Sequence, residues 1–323
     1  MKPFISIIIP TYNRHEYLKE CIDSALKQTY TRKEIIVADD SSKDETRDVC
    51  KSYGSLIKYF CNKKNLGMHA NWRKALYDYA KGGYALILND DDFLIDKNFV
   101  FDAAKQIEEN DSISIVHAGC KVYYENKKKG FNLLFNLPKV TAGKNYFLNS
   151  HKMKYNFLTG STIFKRNLAL KLKAFKNPSI FQLDVELFLK MSLHGDVAYI
   201  KKEVFVYRKH KNSYGANAKI QELIKNFEVI DSLYKEGKKK LQINKLNNWR
   251  RRYTQACCAT LMIWALCHKS YDDGILLLKN LKKTKHIPRT LYFQPKFILL
   301  YTLICCRPLN QTIKYIFEKF REV

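Results

Sequence analysis

The chain has 323 residues, is 46% hydrophobic and 13% aromatic, and carries a formal net charge of +26. Its length and apolar content exclude a disordered chain and leave one large domain, or one domain with an appendage. The charge calls for an anionic partner: nucleic acid, a membrane surface or a phosphorylated substrate. The nine cysteines include two adjacent pairs, Cys257–Cys258 and Cys305–Cys306, and no Cys-x-x-Cys spacing. That pattern fits neither a zinc site nor a secreted disulfide framework, so reduced thiols in a cytoplasmic protein are expected.

The first hundred residues alternate. The run Phe4–Tyr12 reads as a buried, β-branched strand, too short for a signal-peptide core. Residues 14–28 follow as a helix, with Tyr17, Leu18, Cys21, Ile22, Ala25 and Leu26 at helical spacing. Residues 34–40 predict a second strand. Residues 41–53 predict a helix capped by Ser41 and Ser42. Residues 56–62 predict a third strand, 66–81 a third helix and 84–92 a fourth strand. This β-α-β-α-β-α-β order specifies an α/β fold: an open, mostly parallel sheet with helices on both faces. In such sheets, ligands bind beyond the carboxyl ends of the strands.

Further along, residues 112–126 predict a strand that leaves the sheet. Residues 157–167 predict a Gly-punctuated turn and strand. Residues 181–194 predict a helix ending at Gly195, and 196–210 a returning strand. From about 216 the pattern is helical, with helices expected over 216–235, 245–267, 271–283 and 308–320. The nearest thing to a linker is 234–245. The domain reading is 1–215, divided near 110 into a nucleotide-side and an acceptor-side half, followed by a basic helical region over 216–323.

Four polar segments share the predicted ligand edge: Thr11–Arg14, Asp39–Ser42, Asn62–Asn71 and Asp90–Asp92. Adjacent aspartates repel. The triplet therefore reads either as a turn or as a site for a hard cation, which takes carboxylates and completes its shell with substrate phosphates. Asp39 and Asp40 read as helix-capping acids, a role that leaves room for a ligand contact.

Together these segments resemble the family 2 glycosyltransferases of GT-A fold. "IIIPTYNR" is similar to that family's opening strand and loop, and "VADDSSKDET" to its Asp-Asp-Gly/Asn-Ser signature, with Ser41 standing where Gly or Asn is usual. "NKKNLGMHANWRKAL" resembles its Asn-x-Gly helix entry and "NDDDF" its metal-binding motif. "LDVELFLKMSLHG" resembles its acceptor-side helix and "VYRKHKNS" its basic, His-containing segment. The resemblance spans about residues 4–215. It implies inverting transfer of a sugar from a nucleoside-diphosphate sugar, by default a UDP-sugar, with a divalent metal, Mn2+ or Mg2+. Donor contact falls to Pro10, Thr11, Tyr12, Asn13, Arg14, Asp39, Asp40, Asn65, Gly67, Asp90 and Asp91. Thr11, Tyr12 and Asp40 would meet the base. Asp92 and His210 would hold the metal, and Asp184 would be the general base.

The chemistry asks for these residue types. A leaving diphosphate needs a cation, and the attacking hydroxyl must lose its proton to a carboxylate on the opposite face. Glu186, two residues from Asp184, diverges from it on a helix. Trp72 and Tyr77 read as core, and His69 has no assigned partner. Rival readings are weaker. A nucleic-acid-binding basic protein leaves the acidic edge unexplained, and no nucleic-acid partner is expected. A nucleotidyltransferase calls for glycines after the first strand. A degenerate scaffold is at odds with the intact triplet and Asp184.

Residues 234–323 hold 19 Lys/Arg against 5 Asp/Glu. The apolar run Phe297–Cys306 is too short to cross a bilayer. With its aromatic and lysine neighbours it suits an interfacial helix on an anionic membrane. The expected place is the inner face of the cytoplasmic membrane, with a glycan or lipid-diphosphate-linked acceptor used in surface-polysaccharide assembly.

Overall fold

A computed structural model describes residues 2–152, 157–177, 182–211, 219–268, 270–283 and 295–313. The chain divides into two units, Met1–Pro178 with Leu183–Lys211, and Ser179–Gln182 with Asn212–Val323.

The first unit is built on β1 (Ile5–Thr11), β2 (Lys33–Asp39), β3 (Lys58–Cys61) and β4 (Tyr84–Ile87), with α1 (His15–Leu26), α2 (Thr46–Ser52) and α3 (Met68–Lys74) between them. It continues through β5 (Phe93–Leu94), α4 (Phe99–Glu109), β6 (Ile113–Tyr124), β7 (Lys129–Leu133), β8 (Val140–Thr141), α5 (Gly143–Asn149), β9 (Thr162–Lys165), α6 (Arg166–Lys171), α7 (Leu183–Ser192) and β10 (Asp196–Lys209). Among the described residues these strands form one mixed sheet in the order β3-β2-β1-β4-β9-β6-β10-β5, with β7 on β6 and β8 on β10. The run β3-β2-β1-β4 is parallel throughout.

Alternation along β1 explains the layering. Ile5, Ile7 and Ile9 are fully buried against Leu18, Cys21, Ile22 and Ala25 of α1 and Phe99, Val100 and Ala103 of α4. Each such isoleucine contributes about 2 kcal/mol through burial. The opposite face of the sheet carries α3, α6 and α7.

Two local expectations are corrected. Ser41 and Ser42 do not cap α2. The helix starts at Thr46, whose N–H donates to Asp44 Oδ1 at 3.0 Å. Ser42 is drawn back instead, its N–H bonded to Asp39 Oδ1 at 2.8 Å. The strand at 112–126 does not leave the sheet either. As β6 it lies between β9 and β10, and Ile113–Cys120 are buried without interruption, as a strand covered on both faces requires.

The second unit is helical: α8 (Ile220–Lys225), α9 (Phe227–Gly237), α10 (Ile243–His268), α11 (Tyr271–Lys283) and α12 (Pro295–Cys305). Asn226 breaks the single helix expected over 216–235, whose first residues lie outside those described. Phe227, Leu233, Leu246, Trp249, Leu278 and Phe297 are buried in this unit. The apolar run at 297–306 forms most of α12. The helix expected over 308–320 is seen through residue 313, and its remainder lies outside the described residues. Among the described residues no helix is long and apolar enough to cross a membrane.

Candidate active site

The strand order places β1 between β2 and β4, so the chain leaving β1 and the chain leaving β4 border one crevice. Such a switch point is where open α/β sheets bind ligands. Tyr12 to Arg14 emerge on one side and Asp90 to Asp92 on the other. Arg14 Nη1 bridges them, 3.0 Å from Asp90 Oδ1 and 2.9 Å from Asp91 Oδ2. The Tyr12 N–H points at Asp90 Oδ2 across 3.4 Å, and the Tyr12 side chain is exposed at this edge.

All three aspartates are buried, Asp92 to 2% exposure. Burial pushes the Asp90 carboxyl up to about 6, against the pull of Arg14 and with the repulsion of Asp91. Burial, then the charge of Asp91, pushes Asp92 well above the carboxylate range, although the Arg208 N–H donates to its Oδ1 at 2.9 Å. Burial also works against the Arg14 guanidinium, but Asp90 and Asp91 outweigh it and hold its pKa above the usual value. His210, at the end of β10, places Nε2 2.9 Å from Asp91 Oδ2. The histidine therefore meets Asp91 directly. Asp92, its expected co-ligand, is bonded to the neighbouring main chain.

A second cluster lies at the end of β2. Asp39 accepts from Ser42 N at 2.8 Å and Tyr59 Oη at 2.7 Å. Asp40 accepts from Asn62 Nδ2 at 3.0 Å and from the N–H groups of Leu66 and Gly67, both at 2.8 Å. Asp40 thereby fastens the loop that opens α3. Gly67 sits at φ +83° there, in the region that favours glycine, and Asn65 Oδ1 also accepts from its N–H at 2.9 Å. Ser41 lies at φ +67°, which explains why Gly or Asn suits this position. Asn13, at φ +51°, ties the first edge segment to the second: its N–H donates to Ser42 Oγ and its Oδ1 accepts from Lys43 N, each at 2.8 Å. Pro10 and Thr11 are buried in β1.

Asp184 lies on a different element, in the first turn of α7. It is half-buried, and Thr159 Oγ1 donates to its Oδ2 at 3.1 Å. Glu186 turns elsewhere and accepts from Lys190 Nζ at 2.5 Å. Tyr207 of β10 senses both acidic centres. Burial raises its hydroxyl pKa first, followed by the charges of Asp92, Asp91 and Asp184. Lys209 Nζ donates to that hydroxyl at 2.9 Å. Trp72 is buried, edge-on to the buried His69, and Tyr77 carries the Arg73 guanidinium over its ring at 4.7 Å.

Sequence reasoning missed Thr159, Tyr207 and Arg208. The alternation within "VYRKH" was the available signal, since it puts Tyr207 and Lys209 on one face of β10 and Arg208 and His210 on the other.

The model of the family described as "Glycosyl transferase family 2" matches residues 6–172, more than half of the chain. The chain belongs to this family. The matched span covers β1 to α6 and contains the aspartate triplet; Asp184 and His210 lie beyond it. This family 2 glycosyltransferase is 28% identical over 241 residues to an uncharacterized glycosyltransferase of Rickettsia typhi, covering 74% of this chain and 73% of the relative. S. aureus TarS 1–349, solved in complex with UDP-GlcNAc, matches with a TM-score of 0.72 at 17% identity, over 98% of this chain and 91% of that one. A mannosyltransferase from Pyrobaculum calidifontis, solved with GDP-Man and Mn2+, matches with a TM-score of 0.55 at 15% identity, over 98% and 88%. The fold is GT-A, and the chain is a glycosyltransferase.

Proposed function

We propose that this glycosyltransferase is metal-dependent and inverting, and that it moves a sugar from a UDP-sugar to a hydroxyl of a glycan or lipid-diphosphate-linked acceptor in surface-polysaccharide assembly. The observation that carries this reading is the pair of separate acidic centres: the buried triplet at the switch point and Asp184 on α7. Metal-assisted departure and base-assisted attack require two such centres, on opposite sides of the reacting carbon. The solved relatives bound to UDP-GlcNAc and to GDP-Man with Mn2+ support the donor class.

The donor set suits a hard divalent cation. Buried carboxylates repel one another at the triplet, and a cation there would relieve that repulsion. Among the described residues no group of three or more His, Cys, Asp or Glu side chains is placed to hold an ion. A partial set fits Mn2+ or Mg2+ completed by substrate phosphates. Asp92 and His210 would hold the ion, with Asp91 beside His210. When bound, it supplies Lewis-acid stabilisation of the leaving diphosphate.

The chain's own residues do the rest. Asp39 and Asp40, with Pro10, Thr11, Tyr12 and Asn13, line the base end, and Asn65 and Gly67 close that end through Asp40. Arg14, Asp90 and Asp91 border the ribose and diphosphate. Asp184 takes the proton of the acceptor hydroxyl as its oxygen attacks the anomeric carbon. The bond to the diphosphate breaks on the opposite face, UDP departs with the electron pair, and the anomeric centre inverts. Thr159 holds the Asp184 carboxylate for that task.

In the second unit, Ile298 and Leu299 of α12 are exposed at 51% and 58% in a strongly basic region. This supports peripheral attachment to an anionic membrane, at the inner face of the cytoplasmic membrane. A donor screen with UDP-, GDP-, dTDP- and CMP-sugars, read as released nucleotide, tests the function. The expected result is Mn2+-dependent release from a UDP-sugar. Release that persists undiminished in Asp184→Asn would overturn the assignment of the base.

A further inference from the structure

The acidic site is approached from one side by a lock that the proposed chemistry does not use. Three elements build it. Tyr17 and Glu20 come from α1, Glu125 follows β6, and Arg208 lies two residues before His210 on β10. The Arg208 guanidinium pairs with Glu20 and, at 3.6 Å, with Glu125. It lies 4.8 Å from the ring centre of Tyr17 and 5.3 Å from that of Phe93. The Tyr17 hydroxyl donates to both Glu125 oxygens, at 2.9 and 3.2 Å. The Tyr17 ring is in turn 5.3 Å from the His210 ring.

Two features set this lock apart from an ordinary surface ion pair. The Arg208 side chain is only 13% exposed, whereas its partners Glu20 and Glu125 are 51% and 39% exposed. Buried Arg208 Nε has no hydrogen-bond partner among the described residues. Pairs with such exposed acids add little stability one by one. What the arrangement fixes is the position of a strand end. At that end the Arg208 N–H donates to Asp92 Oδ1 at 2.9 Å, and His210 meets Asp91.

We propose that Arg208 is a positioning residue: locked to Tyr17, Glu20 and Glu125, it holds Asp92 and His210 in register through the main chain of β10. This rests on the reading of Asp92 and His210 as the metal side of the site. Partners of metal ligands orient them and set their affinity. A planar fork that both stacks and pairs is a task for arginine that lysine does not reproduce.

Tyr17→Phe and Glu125→Gln each remove a bond of the lock without touching any aspartate, and Arg208→Lys removes the fork at its centre. Three quantities are measured on each: the Mn2+ concentration needed for UDP binding by calorimetry, steady-state kcat and KM, and the melting temperature. The Mn2+ midpoint is expected to rise about tenfold and kcat to fall about tenfold, with little change in donor KM at saturating Mn2+. The double variant Tyr17→Phe/Glu125→Gln should be no worse than the worse single one, because the two residues act as a unit. A lock that serves only stability would lower the melting temperature and leave the Mn2+ midpoint and kcat of the folded protein unchanged, and that result overturns the proposal. Wild-type protein that fails to bind UDP with or without Mn2+ removes the metal-site reading, and this inference with it. Normal wild-type binding with unaltered variants removes this inference alone.

Discussion

The two units of this chain treat charge in opposite ways. In the first, acids are gathered and buried at a strand edge, where Asp90, Asp91 and Asp92 face Arg14 and His210. In the second, cations dominate a helical region and remain largely at its surface, beside exposed apolar residues of α12. Burial is what separates the two cases. A buried carboxylate is costly unless partnered, so a cluster of them marks chemistry. Solvated lysines cost little and mark at most a surface partner. The first unit should therefore respond sharply to single substitutions, and the second only gently.

The largest effect is expected at the base. Asp184→Asn should lower kcat about a thousandfold while leaving UDP binding intact, measured by nucleotide release and calorimetry on the same preparation. Lost UDP binding would instead place Asp184 among the donor contacts.

The triplet should next reveal itself as a pH dependence of stability. The folded Asp90 carboxyl is raised from 3.8 to about 6. Between those values the folded state binds more protons than the unfolded chain. Its contribution to stability is thus complete below about pH 4 and is lost as pH rises through about 6. Buried His117, its pKa lowered to about 3, pulls the other way over the same range, so the test is a difference: relative to Asp90→Asn, metal-free wild-type protein should lose several degrees of melting temperature between pH 4.5 and pH 7. A difference between wild type and variant that does not change with pH would mean the acids are not strained by burial.

The second unit should show its smaller effect on vesicles. Replacing Ile298 and Leu299 together by serine should weaken binding to anionic vesicles about tenfold, with kcat on a soluble acceptor unchanged. Equal binding by both proteins would confine the basic surface to solvation.

The smallest effect is expected at Ser41, held at φ +67°. Ser41→Gly should stabilise the protein by up to about 1 kcal/mol in denaturant titration, without altering UDP affinity. A loss of stability would show that the serine makes a compensating contact.

Much of the first unit is legible in the chain because its signals are local. The β-branched run at 5–11, the helical spacing over 15–26 and the aspartates at 90–92 each report their own environment. The errors arose where the deciding partner is remote. β6 reads as a departing strand, since β9 and β10, which enclose it, follow in the later chain. Ser41 and Ser42 resembled caps because their composition says so, but Asp39 claims the Ser42 N–H. Arg208 stayed hidden within a basic run, since its partner Glu20 is 188 residues away. The second unit offered periodicity alone, which gave helices but missed the break at Asn226.

The proposed function rests on the buried aspartates forming a metal-dependent site for a UDP-sugar. Calorimetric titration of UDP into wild-type and Asp92→Ala protein, with and without Mn2+, tests it most directly. Binding that requires Mn2+ in the wild type and vanishes in the variant is the expected result. Tight binding without metal that survives Asp92→Ala would contradict it.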